Sequence, residues 1–285
     1  MSIDTWAQAL ALQGQARRHV TRIDADGAMV WHCWGALKQG QRPLVLLHGG
    51  SGSWNHWVRN INTLVAAGRQ VWVPDLPGCG ESAKPAEAED ADDLPAPVEQ
   101  GLQALLGDAP IDLVGFSFGG MVAGFVARQW PARVARLVLV GAAGLGVQPA
   151  QPLVLKSWLL ARSEAGRLQA HRHNLGALML ARPDSVDELA LALHSANLPR
   201  DRLLRRRISR TDVLRRSLAG VACPVHAIYG ERDVLFAPQY AAVAEALGEA
   251  PGFASLQWLP GAGHWVQYEA PEAFDRALAQ ALQGA

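Results

Sequence analysis

The sequence predicts an α/β fold: a mostly parallel β-sheet with helices on both faces and a helical segment inserted late in the chain. Three observations carry this. Short unbroken apolar runs recur, "PLVLLH" (43–48), "QVWVPD" (70–75), "IDLVGF" (111–116), "RLVLVGA" (136–142), "PVHAIYG" (224–230) and "SLQWLP" (255–260). Helical patterns separate most of them. Between Gly146 and Leu218 there is no strand signal at all, and a stretch of about 70 residues is too long for a plain loop.

In chain order, residues 17–34 read as two strands around the turn "DADG". The first buried strand, 43–48, is followed by a helical stretch from Asn55 to Ala67, and further helices are expected at 99–107, 118–130, 238–248 and 272–282. Strands without polar alternation are buried on both faces, which is the mark of a parallel sheet between helix layers. Such sheets bind ligands where the loops gather at the strand C-termini. The stretch "KPAEAEDADDLPAP" (84–97) is rich in Pro, Ala and acid and reads as a solvated surface loop. Two units follow: a core of residues 1–145 and 219–285, and a helical cap of residues 146–218 over the strand ends.

Composition narrows the class. With 285 residues, 49% of them apolar and 18% charged, the chain can bury a large core. Net charge is zero, so there is no whole-molecule field for nucleic acid or an anionic membrane. Residues 1–10, "MSIDTWAQAL", lack a basic stretch followed by an apolar one, and no apolar run reaches the length of a membrane span. Cys33, Cys79 and Cys223 are far apart and suit a reducing compartment rather than a disulfide or zinc framework. The expectation is a soluble cytoplasmic protein acting on a small molecule, with no metal, cofactor, nucleic acid or membrane; homo-oligomerisation stays open.

Chemistry is concentrated in "GFSFGG" (115–120). A strand turning at once into a helix strains the turn residue into positive φ, and glycines two residues before and after remove the collisions. This lifts the Ser117 hydroxyl to the strand end, with the N-terminus of the next helix aimed at the same point. A serine hydroxyl needs a base, and His264 in "LPGAGHWVQYE" follows the last strand. The base needs a carboxylate to fix its tautomer, and Asp233 in "IYGERDVLFAP" is placed for it. Two amides should meet the oxyanion: Phe118 at the helix start, and Gly50 in "HGGSG" (48–52).

These motifs give the chain a resemblance to the α/β-hydrolase fold family from about Pro43 onward, through "LLHGG", "PDLPGCGES", "GFSFGG", "GERDVLFAP" and "GAGHWVQYEAPEAF". The resemblance implies an eight-stranded sheet, a cap inserted after the sixth strand, and hydrolysis by Ser117, His264 and Asp233. Similar haloalkane dehalogenases and epoxide hydrolases carry Asp at the elbow, so serine argues against both. The stretch "GSWNHWVRNI" (52–61) also resembles the hydrolases that cleave carbon–carbon bonds in ring-cleavage products. Those place Asn before the nucleophile, and here that residue is Phe116.

The remaining candidates are weighed the same way. His48 is expected to brace the oxyanion loop, and Cys79 to be a packed loop residue. His171 and His173, two apart on a helix, face different sides and make no metal pair. The arginines of "PRDRLLRRRISRTDVLRR" read as a solvated helical face opposite Leu204 and Ile208, with one arginine reaching the pocket as the competing reading. Phe116 and Trp265 are expected to touch the substrate. The leading function is a serine hydrolase opening a carboxylic ester of a small apolar substrate; the alternatives are carbon–carbon bond hydrolysis and a non-catalytic ligand receptor on the same scaffold.

Overall fold

Each apolar run becomes a strand: β1 (Arg17–Arg22), β2 (Ala28–Trp34), β3 (Leu44–Leu47), β4 (Val71–Pro74), β5 (Ile111–Phe116), β6 (Val134–Val140), β7 (Val225–Gly230) and β8 (Phe253–Leu259). A computed structural model describes residues 3–25, 27–203 and 205–283, so part of the "DADG" turn, at Asp26, lies outside the described residues. The eight strands form one sheet in the order β1-β2-β4-β3-β5-β6-β7-β8. β1 pairs antiparallel with β2, and β2 with β4; every pair from β4 through β8 is parallel.

The inner strands β3 to β7 are mostly apolar and buried because both faces are covered, whereas the edge strand β1 is polar and largely exposed. Successive side chains of a strand point to opposite faces, and the sheet splits its residues accordingly. Val45, Leu47, Ile111, Leu113, Leu137 and Leu139 join one core. Leu44, Leu46, Val114, Phe116, Val138 and Val140 join the other. The helices, α1 (Trp6–Gly14), α2 (Ile61–Ala66), α3 (Pro95–Leu106), α4 (Phe118–Gln129), α5 (Glu164–Asn174), α6 (Glu188–Asn197), α7 (Val213–Leu218), α8 (Tyr240–Gly248), α9 (Val266–Glu269) and α10 (Pro271–Leu282), divide in the same way. Val98 of α3, Met121 of α4, Leu218 of α7 and Val243 of α8 pack in the first core. Leu12 of α1, Ile61 of α2, Leu189 of α6 and Phe274 of α10 pack in the second. No helix among the described residues is long and apolar enough to cross a membrane.

Several expectations need correction. Helix α1 was not anticipated, although its signal is present: Thr5 and Gln8 form a reciprocal capping box. The stretch 55–67 is broken into a single 3-10 turn, Trp54–Trp57, and α2. Between them the buried Asn60 side chain donates to Gln267 O at 3.1 Å and to Asp275 Oδ1 at 2.9 Å, which turns the chain onto the C-terminal helix. Residues 84–97 are not a solvated loop. Ala88, Ala91 and Leu94 enter the first core, Asp90 accepts from Ile208 N at 3.2 Å, and α3 starts at Pro95, the helical position that tolerates proline.

Between β6 and β7 the chain is helical and contains no strand among the described residues. Its helices α5 and α6 pack on each other, and its leucines are continuous with the sheet-face cores: Leu175, Leu189 and Leu193 with the second, and Leu203, Leu214 and Leu218 with the first. The arginine-rich stretch is not a helical face. Leu198–Arg200 and Ile208–Arg210 form single 3-10 turns, α7 takes up only Arg215 and Arg216, and Leu204 lies outside the described residues.

The start of α4 sits directly on the end of β3. A Cβ at Gly119 would lie 2.3 Å from His48 O and 2.8 Å from Leu47 O, both backbone atoms. Gly119→Ala is therefore expected to cost about 2 kcal/mol or more of folding stability, read from urea unfolding midpoints; an unchanged midpoint would show that the helix can shift.

Candidate active site

Ser117 follows β5 and precedes α4 with no intervening residue, at φ 51° and ψ −113°. That conformation is costly for any residue with a Cβ and is held by close packing. A Cβ at Gly115 would come within 2.4 Å of Gly119 O and 2.7 Å of Gly120 Cα, so the elbow closes only with glycine there. Ser117 Oγ lies 2.9 Å from His264 Nε2, and His264 Nδ1 lies 2.7 Å from Asp233 Oδ2. The second Asp233 oxygen accepts from Leu235 N at 3.0 Å. Three loops, after β5, β7 and β8, thus bring the three residues into one hydrogen-bonded line.

One residue that makes room for this line escaped the sequence reading. Gly141, at φ 50° just after β6, would carry a Cβ 3.3 Å from the His264 ring and 3.4 Å from Asp233 Oδ2. A glycine closing a buried strand was the available signal.

Of the two amides expected to meet an oxyanion, that of Phe118 follows Ser117 in the chain, and Gly50 follows Gly49, whose would-be Cβ lies 3.3 Å from Ser117 Cβ. Phe118 is the first residue of α4, so its N–H has no acceptor within the helix. Gly50 lies in the loop after β3, which is pinned from several sides. His48 has Nδ1 at 2.7 Å from Gly49 O, and its Nε2 accepts from Leu76 N at 2.8 Å. Gly49 N donates to His56 Nδ1 at 3.2 Å. Asp75 Oδ1 accepts from Trp54 N at 2.8 Å. The segment between β6 and β7 adds two more ties: Asp201 to Ser51 Oγ at 2.6 Å, and Asn197 to Ser53 Oγ at 3.0 Å.

Phe116 and Trp265, the residues expected to touch the substrate, are both buried beside His264. Phe116 has no exposed surface and Trp265 keeps 1%. The Phe116 ring packs 5.0 Å from His264 and 5.6 Å from His56. Trp265 stacks on Tyr268 at 4.2 Å and donates its indole N–H to His56 O at 2.9 Å. Both wall the base from behind. A nucleophile elbow points the serine out of the sheet and its preceding neighbour in, which adjacency in sequence conceals.

Arg206 is the arginine that reaches this region. A Cβ at Gly50 would sit 2.7 Å from Arg206 Nε, and the guanidinium carbon is 5.3 Å from the Phe118 ring centre. One guanidinium nitrogen bonds Asp201 Oδ2 at 2.6 Å, while Nε is buried without a hydrogen-bond partner. His171 and His173 diverge: His171 Nδ1 faces His194 Nδ1 at 3.1 Å, and His173 Nε2 reaches Val154 O at 2.9 Å. The Cys79 thiol is buried, which pushes its pKa up to about 12 and leaves it inert as a nucleophile.

A family comparison agrees with this geometry: the alpha/beta hydrolase fold family matches residues 42–271. The chain belongs to that family. An acetoin-cleaving-system dihydrolipoyllysine-residue acetyltransferase component of Pseudomonas putida is 34% identical over 251 residues, which cover 84% of this chain and 63% of that protein. A 2-hydroxy-6-oxo-6-phenylhexa-2,4-dienoate hydrolase of Burkholderia cepacia is 30% identical over 82% of this chain and 85% of its own length. Among solved structures, a carboxylesterase of Bacillus subtilis superposes with a TM-score of 0.80 at 20% identity, covering 98% of this chain and 96% of that one; at that identity the likeness is one of fold. The chain is an α/β-fold hydrolase.

Burial around the site also sets the acid limit of the fold. It lowers the imidazoles of His32 and His48 from 6.5 to about 4, and holds that of His56 well below 6.5. Neutral imidazoles favour the folded state fully above the unfolded value of 6.5, and this advantage is lost as pH falls through the folded values. Burial also raises Asp75 and Asp275 from 3.8 to about 6, which acts oppositely, favouring folding at low pH and fading as pH rises through about 6. His194 is lowered by burial to about 4 as well, so four lowered histidines stand against two raised carboxylates. The melting temperature is expected to fall between about pH 7 and about pH 5; a rise over that interval would contradict the balance.

Proposed function

We propose that this hydrolase opens a carboxylic ester of a small substrate through a covalent acyl-enzyme on Ser117. The observation that carries the reading is the unbroken line from Ser117 Oγ through His264 to Asp233, at 2.9 and 2.7 Å, with the serine held in a strained turn at the start of α4. Ser117 Oγ attacks the ester carbonyl carbon while its proton passes to His264 Nε2. Asp233 holds the opposite ring nitrogen in its protonated form and stabilises the imidazolium. The Gly50 and Phe118 amides receive the negative charge as the carbonyl oxygen becomes an oxyanion. Collapse breaks the ester C–O bond, and the alcohol leaves with the proton from His264. A water then repeats the sequence on the acyl-enzyme, giving the acid and free Ser117. No step requires a metal or cofactor.

In this reading residues 146–218 act as the cap over the strand ends, and the enzyme works on a small molecule in the cytoplasm, where three free, buried cysteines would stay reduced.

A second reading has its own observation. Arg206 Nε is buried without a partner close to Gly50, which suits a substrate bearing an acid group, and the Burkholderia cepacia relative is named for hydrolysis of a dienoate. The bond broken would then be carbon–carbon. The absence of a polar side chain at position 116 keeps ester hydrolysis first.

Ser117→Ala is expected to lower kcat by about 10⁴-fold or more without loss of fold; retention of most activity would end the acyl-enzyme reading. The two bond types separate on a panel of p-nitrophenyl esters, matched esters bearing a free carboxylate, and a ring-cleavage dienoate. Esters are expected to give the higher kcat/KM. If the dienoate exceeds every ester, and Arg206→Gln lowers the ratio of acid-bearing to neutral turnover by about tenfold or more, the second reading replaces the first.

A further inference from the structure

We infer that Asp201, between β6 and β7, is a positioning residue for the oxyanion loop, acting through the Ser51 hydroxyl to fix the Gly50 amide. The inference rests on the reading of Gly50 as an oxyanion donor. In the run Gly49-Gly50-Ser51-Gly52, three residues have no side chain to anchor them, and a glycine run is the most mobile backbone available. Ser51 supplies the one handle. It stands at φ 52°, and Ser117 is the only other described non-glycine residue at positive φ. A serine is disfavoured in that region, so its presence calls for a compensating contact. The contact is Asp201 Oδ2, which accepts from Ser51 Oγ at 2.6 Å across 150 residues of sequence.

Asp201 is itself fixed. Its side chain is 6% exposed, Oδ1 accepts from Leu203 N at 3.1 Å, and Oδ2 also accepts from Arg206 at 2.6 Å. The Gly50 peptide is therefore held on both sides: Gly49 N is tied to His56 and Ser51 to Asp201. A bare carboxylate near a developing oxyanion would oppose the reaction. Arg206 neutralises it and lies over Gly50 and Phe118, so the positive end of the pair faces the place where negative charge forms. Because an oxyanion donor acts mainly in the transition state, loosening it should appear in kcat rather than KM.

The test uses the full-length enzyme with p-nitrophenyl acetate and an alkyl fluorophosphonate, whose phosphoryl oxygen would sit at the oxyanion position. Ser51→Ala and Asp201→Ala should each lower kcat by about tenfold, with KM within about twofold and a melting temperature near that of the parent. The fluorophosphonate labelling rate should fall by the same factor as kcat. Asp201→Asn, which keeps an acceptor for Ser51, should lie between parent and Asp201→Ala. The double Ser51→Ala/Asp201→Ala variant should be no worse than the poorer single variant, since both changes cut one linkage. Losses that multiply, or a kcat for Ser51→Ala within about twofold of parent, would overturn the inference. Ser51→Ala also decides the matter should Asp201→Ala fail to fold. With Ser117→Ala as the reference, an inactive Ser117 variant beside an unaffected Ser51 variant removes this inference alone, whereas an active Ser117 variant removes the acyl-enzyme reading beneath it.

Discussion

The seat of α4 against the ends of β3 and β5 is the contact on which the site depends. It brings a helix N-terminus onto backbone atoms, with Gly119 against the β3 carbonyls, Gly115 against the first turn of the helix and Gly120 within 2.6 Å, by its would-be Cβ, of Ala142. Three missing side chains let the chain reverse within one residue, and that residue is Ser117. Free helix amides and the positive end of the dipole then face the serine oxygen. Any thickening of this contact lifts the helix and turns the hydroxyl away from His264.

The loops around the serine are held from outside the sheet. Glu269 is a buried carboxylate that accepts from Gly263 N at 2.6 Å, Ala181 N at 3.0 Å and Arg182 N at 2.7 Å, so the turn carrying His264 is fastened to the segment between β6 and β7. Asp201 and Asn197 fasten the loop carrying Gly50 to that same segment. A carboxylate taken out of water is tolerable only with several donors around it, and both acids have them. His264 and Gly50 thus share one support.

What could be read from sequence follows the range of the interactions. β3, β5 and β6 were legible because burial on both faces writes an unbroken apolar run, and Ser117, Asp233 and His264 were legible because each ends a strand in fixed order. Helix α1 was missed for want of attention to a local cap, Thr5 with Gln8. The errors at 84–97 and around Arg206 have another origin. Asp90 meets Ile208 across 118 residues and Asp201 meets Ser51 across 150, and no local pattern encodes such pairs.

The leucines that the segment between β6 and β7 contributes to both sheet-face cores bear on how such an enzyme can change. Leu189 and Leu193 are interior to one layer, Leu203 and Leu214 to the other. Swinging this whole segment away as a rigid lid would expose these leucines to water, at a cost of about 2 kcal/mol for each side chain uncovered. For the same reason the insertion is not an exchangeable module. A graft from a relative would bring half of two hydrophobic interiors with it, and new specificity is more readily acquired by substitution within the native insertion than by replacing it.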